Sequence, residues 1–108
     1  MILRDRVTRL RAPLVGDGYG NQERDWDQAV AVEYPAGVGP ASSTEDVHDQ
    51  QRTTTRWRVF LPPTADLEAT DRVTWDGTTF EVDGDVERWK RRGRLHHVEA
   101  VLLKVTQG

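Results

Sequence analysis

Alternation with a period of two is the pattern that most restricts this chain. From Arg52 to Leu61, Thr53, Thr55, Trp57, Val59 and Leu61 alternate with Thr54, Arg56, Arg58 and Phe60. One face is therefore β-branched or apolar and the other carries guanidiniums, as a half-buried strand requires. Pro62-Pro63 stops that strand. The same alternation predicts strands over Arg4 to Arg11, where charge on a weakly apolar segment suggests a guarded sheet edge, and over Gln28 to Pro35. Pro35, lacking an amide donor, is expected to end the pairing there. Arg72 to Trp75 and Thr78 to Val82 flank Asp76-Gly77, a pair suited to the positive φ angles of a type I′ turn, and so predict a hairpin. Leu95 to Val105 is apolar on both faces near its end, which predicts a central strand covered on both sides.

About six short strands in 108 residues predict an all-β fold, a small antiparallel β-barrel forming a single domain over residues 1–108. An open sheet of this size would leave unprotected edges, so closure is favoured. Two connections exceed ordinary hairpin length: Ala12 to Asp27, with Gly16-Asp17-Gly18-Tyr19-Gly20, and Ala36 to Gln51, with Gly37, Gly39, Ser42 and Ser43 followed by Glu45, Asp46 and Asp49.

Composition excludes several classes. With 36% hydrophobic and 31% charged residues the chain is polar but able to build a core. No apolar run approaches the roughly 20 residues that span a bilayer, and the first residues form no signal-peptide core, so neither a membrane nor export is expected. Without cysteine there is no disulfide or thiolate metal site. Eighteen acidic against fifteen basic residues give a net charge of −3, unsuited to a protein that coats phosphates. The charges are nevertheless segregated: acids gather between Glu23 and Asp27 and between Glu45 and Asp49, whereas bases gather at the start, as Arg4, Arg6, Arg9 and Arg11, and from Arg88 to Arg94.

Catalytic patterns fail on geometry. Ser42 and Ser43 lack the nucleophile elbow, and Ser42-Ser43-Thr44-Glu45 suits a helical capping box better. His96 and His97 are adjacent, so on a regular strand their rings face opposite sides, and a nuclease site with Glu99 would gather His97 but not His96. Asp83-Gly84-Asp85-Val86-Glu87 lacks calcium-loop spacing, and Glu23, Asp25 and Asp27 would repel a phosphate at Gly16-x-Gly18-x-Gly20. No cofactor is expected. The cluster Arg88-Trp89-Lys90-Arg91-Arg92-Gly93-Arg94 is the best candidate for contact with DNA or an acidic partner. Trp57 and Trp75 are expected in the core, Trp26 and Trp89 at contacts between subunits.

Taken in order, Arg9-Leu10-Arg11-Ala12-Pro13, Asp17-Gly18-Tyr19-Gly20-Asn21, Asp25-Trp26, Thr55-Arg56-Trp57-Arg58-Val59-Phe60-Leu61-Pro62, Asp71-Arg72-Val73, Thr79-Phe80-Glu81-Val82-Asp83-Gly84 and Leu95-His96-His97-Val98-Glu99 span the whole chain. This series resembles the head-closure, or head-to-tail stopper, proteins of long-tailed bacteriophages, above all those of actinobacterial hosts. The resemblance implies a virion protein of the neck, made in the host cytoplasm, with no catalysis. It implies a β-barrel in a homo-oligomeric ring, hexamer or dodecamer, below the portal and adaptor proteins. Such a ring retains genomic DNA and meets the tail terminator and other tail proteins.

In that family the loop between the second and third strands can reach the axial channel, which here matches Gly37, Gly39, Ser42, Ser43, Glu45, Asp46 and Asp49. Trp26, Arg88, Trp89, Lys90, Arg91, Arg92 and Arg94 are then the expected interface or DNA contacts. The alternative reading is an OB-like nucleic-acid-binding module using Arg56, Arg58 and Phe60 on an exposed sheet face.

Overall fold

A computed structural model describes residues 3–41 and 56–105. Among them are nine strands: β1 (Asp5–Arg11), β2 (Leu14–Gly16), β3 (Gln22–Arg24), β4 (Val30–Pro40), β5 (Arg56–Leu61), β6 (Arg72–Trp75), β7 (Thr78–Val82), β8 (Glu87–Arg91) and β9 (Arg94–Lys104). A single 3-10 turn, Trp26–Gln28, precedes β4, and the described residues form no α-helix.

Six strands close into an antiparallel barrel in the order β5-β4-β1-β6-β7-β9, and β9 returns to β5 from Arg56↔Leu103 to Leu61↔Val98. The expected barrel is thus present, with β8 added alongside β9 from Glu87↔Glu99 to Arg91↔Arg94. β2 and β3 make a separate two-stranded sheet. The predicted Asp76-Gly77 hairpin forms between β6 and β7, and both residues have positive φ, 51° and 76°. The core is one cluster drawn from every barrel strand: Val7, Ala36, Val59, Leu61, Val73, Phe80, Val98, Ala100 and Leu102, joined by Ala65 and Leu67 of the β5–β6 connection. Each fully buried Val or Leu contributes about 1.5–3 kcal/mol over an exposed one, so this inward face decides the register.

Four expectations need correction. β1 is no sheet edge: it lies between β4 and β6, and closure gives it two partners. Pairing does not stop at Pro35, which sits opposite Arg6, and β4 runs on to Pro40. The β5 side of β4 is paired only from Gly37, so among the described residues Pro35 has a strand partner on the β1 side alone, and a residue without a donor is tolerated there. Gly37 and Gly39 are consequently strand residues opposite Phe60 and Arg58, not part of a loop. β9 is buried on one face only, through Val98, Ala100 and Leu102, while Val101 and Leu103 are half-buried and Leu95 is exposed.

Trp57 and Trp75 are half-buried rather than central. They pack against the core with ring centroids 5.1 Å apart. Ser42, Ser43, Glu45, Asp46 and Asp49, with the expected cap at Ser42 and the start of the strand at Arg52, lie outside the described residues.

Candidate assembly surfaces

Two hairpins leave the barrel at one end. β5 is antiparallel to β4 and to β9, and β4 is antiparallel to β1, so β9 begins at the end where β1 finishes. From β1 the chain enters the β2–β3 hairpin, within the stretch expected as the loop Ala12 to Asp27; into β9 it comes from the β8 hairpin, which alternation had not revealed. Every residue of β8 is exposed, and so little separated it from a solvated basic run in the sequence.

The β8–β9 arm turns at Arg92-Gly93, with φ of 52° and 77°. That is type I′ geometry, which matches the twist of a two-stranded ribbon, although Arg92 is a side-chain-bearing residue in the left-handed region that glycine or asparagine occupies more easily. Arg88, Lys90, Arg91, Arg92 and Arg94 are all exposed along the arm. Arg88 also donates to the Leu67 carbonyl at 3.0 Å, which ties the base of the arm to the β5–β6 connection. Trp89 is 49% exposed; its ring stacks on His97 at 7° between planes, and its Nε1 donates to Glu87.

A β-bulge overturns the expected facing of the histidines. Trp89 is opposite His97 and Lys90 is opposite Leu95, so His96 is the extra residue and is rotated out of the alternation. Its Nδ1 comes within 2.8 Å of the His97 Nδ1, His97 Nε2 is 3.1 Å from Glu99, and Glu99 accepts from Arg58 at 2.8 Å. All three residues of the rejected nuclease set therefore form one hydrogen-bonded row. Among the described residues no group of three or more His, Asp or Glu has the geometry to hold a metal ion.

The β2–β3 hairpin carries the opposite charge. Asp17, Glu23, Asp25 and Asp27 lie on it or at its base beside a single cation, Arg24, which donates to the Ala12 carbonyl. Gly18 and Gly20, both at φ 86°, form its tip. There the Asp17 carboxylate accepts from the amides of Tyr19 at 2.7 Å and Asn21 at 3.2 Å, which holds it below its usual range. Asp25 caps the 3-10 turn by accepting from Asp27, and its own amide donates to the Pro13 carbonyl. Trp26 on that turn is half-buried under the Arg72 guanidinium, 4.0 Å from its ring, and is less available for contact than Trp89.

Between the two projections an ion cluster, not foreseen from the sequence, fixes the rim. Arg11 grips Asp71 through Nε at 3.0 Å and Nη2 at 2.9 Å, and Asp66 through Nη1 at 2.8 Å. The Asp71 side chain is 1% exposed and also accepts from the Glu68 amide. The Asp71 bonds first, then those from Asp66, raise the Arg11 pKa further and keep it charged; the Arg11 bonds in turn hold Asp66 below the usual carboxylate range. Arg9 points inward beside Val7 and donates to the Asp66 carbonyl, and its Nε has no partner among the described residues.

The face considered for oligonucleotides is already engaged. Arg56 binds Asp83 and Arg58 binds Glu99, each at 2.8 Å, and Phe60 packs on His97.

Residues 2–102 match the model of the phage head completion protein family. The chain belongs to that family, which gives it a structural role at the phage head and makes it a virion component. No curated protein matches it in sequence. Among solved structures it is similar to protein SF1141 from Shigella flexneri 2a, with a TM-score of 0.64, 20% identity, and 98% of this chain and 96% of that one covered. It is also similar to xkdH of the phage-like element PBSX from Bacillus subtilis, with a TM-score of 0.51, 15% identity, and 93% and 92% covered. At these identities the likeness is one of fold.

Proposed function

We propose that this head completion protein is a head-to-tail stopper. Copies form a closed ring, hexameric or dodecameric, below the portal and adaptor proteins in the neck; the ring retains packaged DNA and offers a docking surface to the tail. The chain is made in the host cytoplasm, turns over no substrate and needs no cofactor; it acts through shape and charge. The observation that carries this reading is where exposed apolar side chains lie. Of the six large ones among the described residues, Leu14, Val15 and Tyr19 are on one projection and Trp89 and Leu95 on the other, while Val30 starts the strand beside them. Exposed apolar side chains carried on projections at one end of the barrel are what contacts with neighbouring proteins would use.

The acidic run Glu45, Asp46 and Asp49, with Ser42 and Ser43, enters the proposal on its charge: carboxylates on a channel wall let a polyanion slide rather than stick. An oligonucleotide-binding use of Arg56 and Arg58 would instead have to break two ion pairs first.

The test is removal of the chain from an infection. Filled heads that leak DNA and fail to join tails are expected, with the protein found at the neck of complete particles by electron microscopy. Tailed, DNA-filled particles assembled without it would sink the proposal.

A further inference from the structure

We propose that neighbouring copies are joined by the basic β8–β9 arm of one packing against the acidic β2–β3 hairpin of the next. The inference rests on the ring reading above and gives it a specific interface.

Three independent observations converge. The first is position. In the closed order β5-β4-β1-β6-β7-β9, β1 and β9 are three places apart whichever way round one counts, so they stand on opposite sides of the barrel. The β2–β3 hairpin grows from β1 and the arm from β9, at the same barrel end. Two complementary projections at one level on opposite sides describe a head-to-tail contact, the type that closes into a ring when the rotation per copy allows.

The second is chemistry. From Glu87 to His96 there are five cations and one carboxylate, and from Leu14 to Asp27 four carboxylates and one cation. Each projection also carries exposed apolar surface, Trp89 and Leu95 against Leu14, Val15 and Tyr19. A contact with an aromatic centre and a charged rim is the usual anatomy of a specific interface, and opposite charge fixes which side meets which.

The third is the backbone. Among the described residues β8 pairs with β9 on one side only, and beyond the Arg88 contact with Leu67 no strand lies against its other side. Natural proteins seldom leave such an edge bare, and a second chain is one way of covering it. Arg92 supports the same conclusion, since a cation is kept at a turn position where glycine or asparagine would sit with less strain.

Because the chain has no cysteine, the contact can be trapped cleanly. Gln22→Cys and Lys90→Cys, exposed on the two projections and together in one chain incorporated into particles and treated with a short bismaleimide, are expected to give a ladder of covalent multiples, whereas each single variant gives monomer. Reversing the arm with R91E, R92E and R94E should abolish the ladder, and adding E23K and D27K should restore it. Those two positions leave Asp17 and Asp25, whose carboxylates bind backbone amides, untouched.

Monomer alone from the double variant, in particles that show a symmetric collar and keep their DNA, would overturn this interface and leave the ring standing. A neck without a symmetric collar of this chain would remove both. A reversed arm that loses DNA but keeps its ladder would show that the arm serves DNA instead, and would also overturn the proposal.

Discussion

The Nδ1 atoms of His96 and His97 lie 2.8 Å apart although the two residues are neighbours on one strand. The bulge opposite Trp89 and Lys90 makes this possible, and it separates two otherwise similar side chains by burial. His97 is 14% exposed, held between Trp89, Phe60 and Glu99; His96 is exposed. His97→Ala is therefore expected to destabilise the protein by about 1–3 kcal/mol through lost packing and a lost hydrogen bond, and His96→Ala by under about 0.5 kcal/mol. Urea denaturation of both variants checks the contrast.

Arg11→Ala should be among the most damaging single changes outside the core. It strips the forked partner from Asp71, whose side chain is 1% exposed, and leaves that carboxylate the Glu68 amide alone. Breaking a buried pair by removing one member costs about 3–5 kcal/mol, and a value near the lower end is expected because Arg11 itself is partly exposed. A lower urea midpoint at unchanged slope would show it.

Acid should weaken the fold through Asp66 and Asp17. Both carboxylates have folded-state pKa values below the ordinary 3.8, so the unfolded chain binds protons first. Their stabilisation is complete above that value and is lost as pH falls through the lower folded value. Melting temperatures followed from about pH 6 down to about pH 2.5 should decline on this limb. Asp66→Asn should flatten the decline while lowering the melting temperature at neutral pH.

Arg92→Asn should raise stability, by up to about 1 kcal/mol, because asparagine enters the left-handed region more easily. Under the proposed contact the same substitution lowers cross-linking between copies. A thermal melt and the cysteine ladder, measured on one preparation, test both halves.

The sequence made the barrel legible wherever one face of a strand is buried, as with Val59 and Leu61 or Val98, Ala100 and Leu102. It was mute for β8, because a strand exposed on both faces leaves no alternation to detect. Pro35 misled for a related reason: a proline forbids pairing only where its amide side has a neighbour, and which side that is depends on closure. The charged clusters could be located but not paired. Arg11 meets Asp66 and Asp71 across 55 and 60 positions of sequence, and no local pattern records such a contact. The bulge at His96 was hidden likewise, since it exists only relative to the strand opposite.

The seam between β5 and β9 also governs how the chain reaches its final state. Its partners are 37 to 47 positions apart, from Leu61↔Val98 to Arg56↔Leu103, and those of β1 and β6 are farther still, 62 to 66 positions from Leu10↔Arg72 to Thr8↔Thr74. Contacts of that range are made late, and topologies dominated by them fold in milliseconds to seconds. A ribosome releasing this chain thus delivers an unzipped sheet first. For that interval the edges that closure removes stay open to pairing with another copy, so anything that slows closure is expected to favour aggregation.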